Sequence, residues 1–187
     1  LLFLVLFALQ SFAQNTSQLD YCLQKEVNKE LKNQFKSDLF GGDTLVIIQN
    51  FTIKDSLITS ELIEVDPETF KETEHRLIQT EIKVLSYVLK RRFYYGDGYQ
   101  IEKQEVALNE ITAIAKDVQI LFETKPNAVK ITRINYYDDG RIETVTDRSN
   151  LFFTQLKCER GNERLGYEIQ ELFEKADCKI EISHWYD

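Results

Sequence analysis

The chain has 187 residues, 31 acidic and 23 basic, with a formal net charge of −8 and a pI near 5.0. That length suits one ordinary domain with a sizeable core, and the acidic balance argues against binding nucleic acid or an anionic membrane through the overall field, leaving room for a local basic patch. With 43% hydrophobic and 29% charged residues, seven glycines and two prolines, the composition is that of a folded protein without linkers.

In chain order, Leu1 to Ala13 carries no charge and is apolar as far as Leu9. It ends with Ser11 and Ala13 at the −3 and −1 positions of a cleavage site. The expectation is a signal peptide over 1–13, its charged start missing, and a mature domain over 14–187 that is exported, periplasmic or secreted. The other reading, an N-terminal membrane anchor, is disfavoured because the apolar run is shorter than the roughly 20 residues of a spanning helix, and no stable membrane insertion is expected after signal removal.

Ser17 to Phe40 predicts an amphipathic helix, with Leu19, Leu23, Val27, Leu31 and Phe35 recurring every four residues. Ser17 is the expected cap and Gly41-Gly42 the stop. From Thr44 the period changes to alternation. The expected strands are Thr44 to Ile53, Leu57 to Val65 after a connection at Lys54-Asp55-Ser56, and Thr73 to Leu85 after a turn at Asp66-Pro67-Glu68. A helix is the other reading of the third, through Leu77, Glu81, Val84 and Val88. Tyr87 to Tyr95 follows, then a turn at Gly96-Asp97-Gly98 into Tyr99 to Val106.

Ile111 to Glu123 predicts two short strands turning near Lys116-Asp117. Val129 to Asp147 is the clearest hairpin, with Asp138-Asp139-Gly140 supplying the turn. Leu151 to Cys158 adds a strand. Leu165, Ile169, Leu172, Phe173 and Ala176 mark a second helix capped by Asn162, and Cys178 to Tyr186 alternates as a final strand. The fold class this order implies is α+β: a strongly curved, mainly antiparallel β-sheet or partial barrel, with an N-terminal helix and a helix before the last strand. From about Gln104 to Ala176, strands followed by an amphipathic helix after LFFTQL resemble pleckstrin-homology-like and related half-barrel domains. That resemblance concerns element order and transfers no residue role.

Chemistry-bearing motifs are sparse. The chain lacks G-x-S-x-G, G-x-x-x-x-G-K, H-E-x-x-H and a calcium-loop pattern, which removes the commonest hydrolase, nucleotide and metalloprotease readings. His75 and His184 have no companion at zinc spacing. No cofactor or metal site is expected. Asp138-Asp139 reads as turn chemistry rather than a carboxylate pair. Export would permit a disulfide, and Cys158 and Cys178 bracket the second helix; three reduced thiols are the other reading. Cys22 lies one position from the apolar stripe of the first helix, where it would act as a small hydrophobe.

The most suggestive surface is Lys90, Arg92 and Tyr94 on one strand face with Tyr99 beyond the turn. Planar stacking area next to directed donors is what recognition uses, although a solvated strand face has the same composition. The functional expectation is a non-enzymatic exported domain that binds another protein or macromolecule or acts as a scaffold. The alternatives are a carrier holding a small apolar ligand among its 12 Phe and 9 Tyr, and an enzyme with an unrecognised site.

Overall fold

A computed structural model describes residues 16–30, 46–65, 68–92, 98–156 and 161–186. The expected signal peptide, Tyr94 and Cys158 lie outside them. Helix α1 covers 16–30 and helix α2 Glu163–Lys175. Among the described residues nine strands follow α1: β1 Val46–Val65, β2 Glu72–Arg92, β3 Gly98–Ala107, β4 Ile111–Lys116, β5 Ile120–Thr124, β6 Val129–Tyr137, β7 Ile142–Ser149, β8 Leu151–Leu156 and, after α2, β9 Glu181–Trp185.

The protein is thus mainly antiparallel β-sheet with two helices, one near the N-terminus and one before the last strand. Its strands form two open sheets, ordered β1-β2-β3-β6-β7 and β8-β5-β4-β9. Neither closes on itself or curls strongly among the described residues, where one strongly curved sheet or partial barrel was expected. The second sheet contains the one parallel pairing described, β4 with β9.

Several boundaries differ from the sequence reading. Lys54-Asp55-Ser56 is not a connection: these residues pair with Val84, Lys83 and Ile82 in mid-strand, so two expected strands are one strand of 20 residues. No Gly or Pro breaks the backbone there, and polar side chains are tolerated because the strand faces water on both sides. β2 likewise contains no Gly or Pro and runs through as a strand of 21 residues, which also decides against a helix over Thr73 to Leu85. Residue 16 is already helical, so Ser17 lies inside α1 rather than at its cap.

Directly opposed residues in antiparallel strands share a face. On the first sheet one face therefore holds Leu85, Tyr87, Leu89 and Arg91 of β2, Val106, Gln104, Glu102 and Gln100 of β3, and Val129, Ile131, Arg133 and Asn135 of β6. Its apolar end meets the second sheet through a chain of rings: Phe51 lies 5.2 Å from Tyr87, Tyr87 5.4 Å edge-on to Phe152, Phe152 6.1 Å from Phe122, and Phe122 5.4 Å edge-on to Phe173 of α2. Such offset and edge contacts add to what burial alone contributes.

The helices close the core. Leu19, Leu23 and Val27 of α1, Ile169 and Phe173 of α2 and Ala176 just past its end are buried, as their spacing predicts, and Cys22 is buried beside the first stripe, whose Leu31 and Phe35 lie outside the described residues. Asn162 stands at the cap position of α2, but its side chain accepts the indole N–H of Trp185 at 3.2 Å instead of capping the helix. Trp185 in turn lies against Gly166, where a Cβ would come within 2.7 Å of the ring.

Candidate functional site

The first sheet presents two unlike surfaces. Its inner face ends in a polar network around Glu102, whose side chain is only 4% exposed. Arg91 Nη2 and Arg133 Nε donate to one oxygen of that carboxylate at 3.0 and 2.8 Å, and Gln104 Nε2 donates to the other at 2.8 Å. Gln104 Nε2 also donates to the Tyr87 hydroxyl at 3.0 Å, and Gln104 Oε1 accepts the Phe153 N–H at 3.1 Å. Arg91 further donates to Gln100, Gln100 to Asn135, and Arg133 to Asp147.

Two carboxylates and two guanidiniums balance in this network, and the charge-assisted bonds satisfy the buried carboxylate. Burial raises the Tyr87 phenol, with hydrogen bonding from Gln155 opposing the shift. Gln155 stands at φ +61 in the irregular stretch of β8, a strained backbone position for a residue with a side chain. Through Tyr87 and Gln104 the network reaches the Phe153 backbone of the second sheet.

The outer face has a different character. Register places Arg92, Tyr99, Tyr136 and Ile142 in one row and Lys90, Ile101, Ile134 and Thr144 in the next. The Tyr99 and Tyr136 rings stack with centroids 4.7 Å apart at 14°, and Lys90 Nζ lies 3.6 Å from the Tyr99 centroid, a cation–π contact. Further along the same face stand Lys103, Glu105, Lys130 and Arg148. Where β2 pairs with β3, from Val84 to Arg92, and across β3, β6 and β7, five cations and one carboxylate therefore share the outer face, in a chain whose net charge is −8.

Of the residues singled out from sequence, the structure brings Lys90, Arg92 and Tyr99 together on this face. Lys103 pairs with Glu105, whereas among the described residues Lys90 and Arg92 have no carboxylate partner. Sequence reasoning missed Tyr136, Ile101 and Ile134, which join the patch only through strand pairing. It also missed the Glu102 network. The signal for that network was present: Glu102 and Gln104 alternate in step with Val106, and Arg133 with Val129 and Ile131, so polar residues occupy inward positions.

The remaining candidates are modest. Cys178 is a free, half-buried thiol, and no disulfide occurs among the described residues. Its thiol is raised by burial, and that of Cys22 is pushed up to about 11, again chiefly by burial. Asp139 accepts the Arg141 N–H at 2.9 Å, the turn chemistry expected of it, and Gly140 takes φ +84. His184 Nδ1 lies 3.6 Å from Glu123 and 3.2 Å from the Ser183 hydroxyl. Among the described residues, no three His, Cys, Asp or Glu side chains converge as a metal site, and no helix is long and apolar enough to cross a membrane. Comparison with known proteins gives no match: no family model, no curated protein and no solved structure matches the chain.

Proposed function

We propose that this is a non-enzymatic binding domain that recognises an acidic macromolecule through the outer face of its first sheet. The observation that supports this reading is that Lys90, Arg92, Lys103, Lys130 and Arg148 share the face that carries the stacked Tyr99 and Tyr136, with Lys90 against the Tyr99 ring, on a chain that is acidic overall. Cations steer an acidic partner, and rigid aromatic area contributes contact at small entropic cost. The proposal places the mature domain outside the cytoplasm, as the N-terminal 13 residues suggest.

The experiment is binding to immobilised poly-L-glutamate at rising salt, followed by capture of acidic proteins from the native source. Binding that weakens with salt, is lost in Lys90→Glu/Arg92→Glu without a fall in melting temperature, and survives in the charge-matched Lys125→Glu/Lys175→Glu supports the reading. Retained binding in the first variant rejects the face. Native mass spectrometry that releases an apolar small molecule on denaturation would favour a carrier instead.

A further inference from the structure

β2 pairs with β3 only from Val84 to Arg92, whereas β1 and β2 pair with each other as far as Val65 and Glu72. Beyond Lys54 and Val84 the two strands therefore leave the five-stranded sheet as a two-stranded ribbon about 35 Å long. Leu57 and Leu77 are 68% and 66% exposed on it, Ile58, Ile63 and Ile78 are exposed as well, and Phe70 near its tip is 83% exposed. An isolated two-stranded ribbon is marginal in water, and an edge with apolar side chains is a template for another strand. β1 forms the edge of the whole sheet.

We infer that two copies of this chain associate through the β1 edges of their ribbons, antiparallel about a twofold axis at Ser60. The occupant and register follow from what β1 carries. α1 occupies the edge at Phe51, where Gln24 Nε2 donates to the Phe51 carbonyl at 2.9 Å, so a pairing centred on Leu57, which needs Phe51 opposite Ile63, is blocked. Centring on Ile58 opposes the acidic positions 55 and 61, and centring on Thr59 sets Leu57 against an acid. Centring on Ser60 sets Leu57 of each copy opposite Ile63 of the other, and acidic positions 55, 61 and 64 opposite 65, 59 and 56, none of them acidic. The two ribbons then make four strands, past the three at which a sheet with an apolar face stands on its own. A homodimer also makes each contact twice, as a closed twofold interface requires.

Sedimentation velocity over a concentration series tests this with the whole chain. The expected result is a concentration-dependent dimer. Thr59 faces Gln79 in its own chain and Glu61 of the second copy, so Thr59→Lys tightens and Thr59→Glu weakens the dimer, each by roughly two- to thirty-fold for two symmetric cross-strand pairs. Under mild oxidation Ser60→Cys gives a covalent dimer that reductant reverses, because residue 60 meets its own copy at disulfide distance, whereas Ser56→Cys and the unsubstituted chain do not. A monomer at every concentration, or a dimer indifferent to residue 59, overturns the inference. The outer-face variants used above leave this dimer intact, so the two readings fail separately.

Discussion

Tyr87 and Phe153 belong to different sheets, and the hydroxyl of the first donates its hydrogen to the main-chain carbonyl of the second. The same ring packs between Phe51 and Phe152, so one side chain joins the sheets by apolar contact and by a hydrogen bond. Tyr87→Phe keeps the packing and leaves the Phe153 carbonyl without this donor, while Gln104 loses an acceptor. The expected cost is about 1–3 kcal/mol, read as a lower urea midpoint at unchanged slope.

Glu102→Gln tests the neighbouring network. The amide is nearly isosteric, yet it leaves Arg91 and Arg133 without the buried carboxylate that both contact. Because the arginines reach water at the rim, the loss is expected at about 2–3 kcal/mol, below the full cost of stranding a buried charge. Calorimetry should show the melting temperature falling by roughly 5–10 °C. An unchanged melting temperature would mean that the network contributes nothing net.

Gly166→Ala places a methyl group against the Trp185 ring, whose nearest atoms lie 2.7 and 2.9 Å from the added Cβ. The ring must move, and its hydrogen bond to Asn162 goes with it. A loss of about 1–3 kcal/mol is expected. Trp185 is the only tryptophan, so its fluorescence maximum should shift to the red.

Alkaline pH should destabilise the fold. The buried Cys22 thiol is raised from about 9.0 to about 11, so the native state holds its proton more tightly than the unfolded chain. Its contribution is complete below the unfolded value and disappears as pH climbs through 9 towards 11, a change of about 2–3 kcal/mol. Tyr87, also raised, acts in the same direction at still higher pH. Urea midpoints measured from pH 8 to pH 11 should fall, and Cys22→Ala should flatten the lower part of the curve. Native-state alkylation at pH 8 should spare Cys22.

Strand and helix identity was legible wherever side-chain period was strong: the β6–β7 hairpin, the paired short strands β4 and β5, and the stripe of α2 all lie where alternation or 3.6-residue spacing put them. Lys54-Asp55-Ser56 misled because polar clusters usually mark connections, and only pairing with Val84, Lys83 and Ile82 shows them in mid-strand. Asn162 was placed correctly at the start of α2, but its oxygen serves Trp185, a residue 23 positions away that no local rule could supply. The basic outer face was half legible. Lys90 and Arg92 share a face by alternation alone, while Tyr136 reaches Tyr99 through a register that one sequence does not encode visibly.

The parallel pairing of β4 with β9 bears on how the fold is reached in time. Ala113 meets Glu181, 68 positions further along, after every other described strand has been made. A chain emerging from its N-terminal side can assemble the five-stranded sheet once Ser149 is available, yet one side of β4 stays open until β9 arrives. That closure is a non-local, late event, and it leaves Ile114 of β4 beside an unpaired strand edge in the interval. Chains interrupted just before Glu181 should therefore be lost to aggregation, although every strand but β9 is already present.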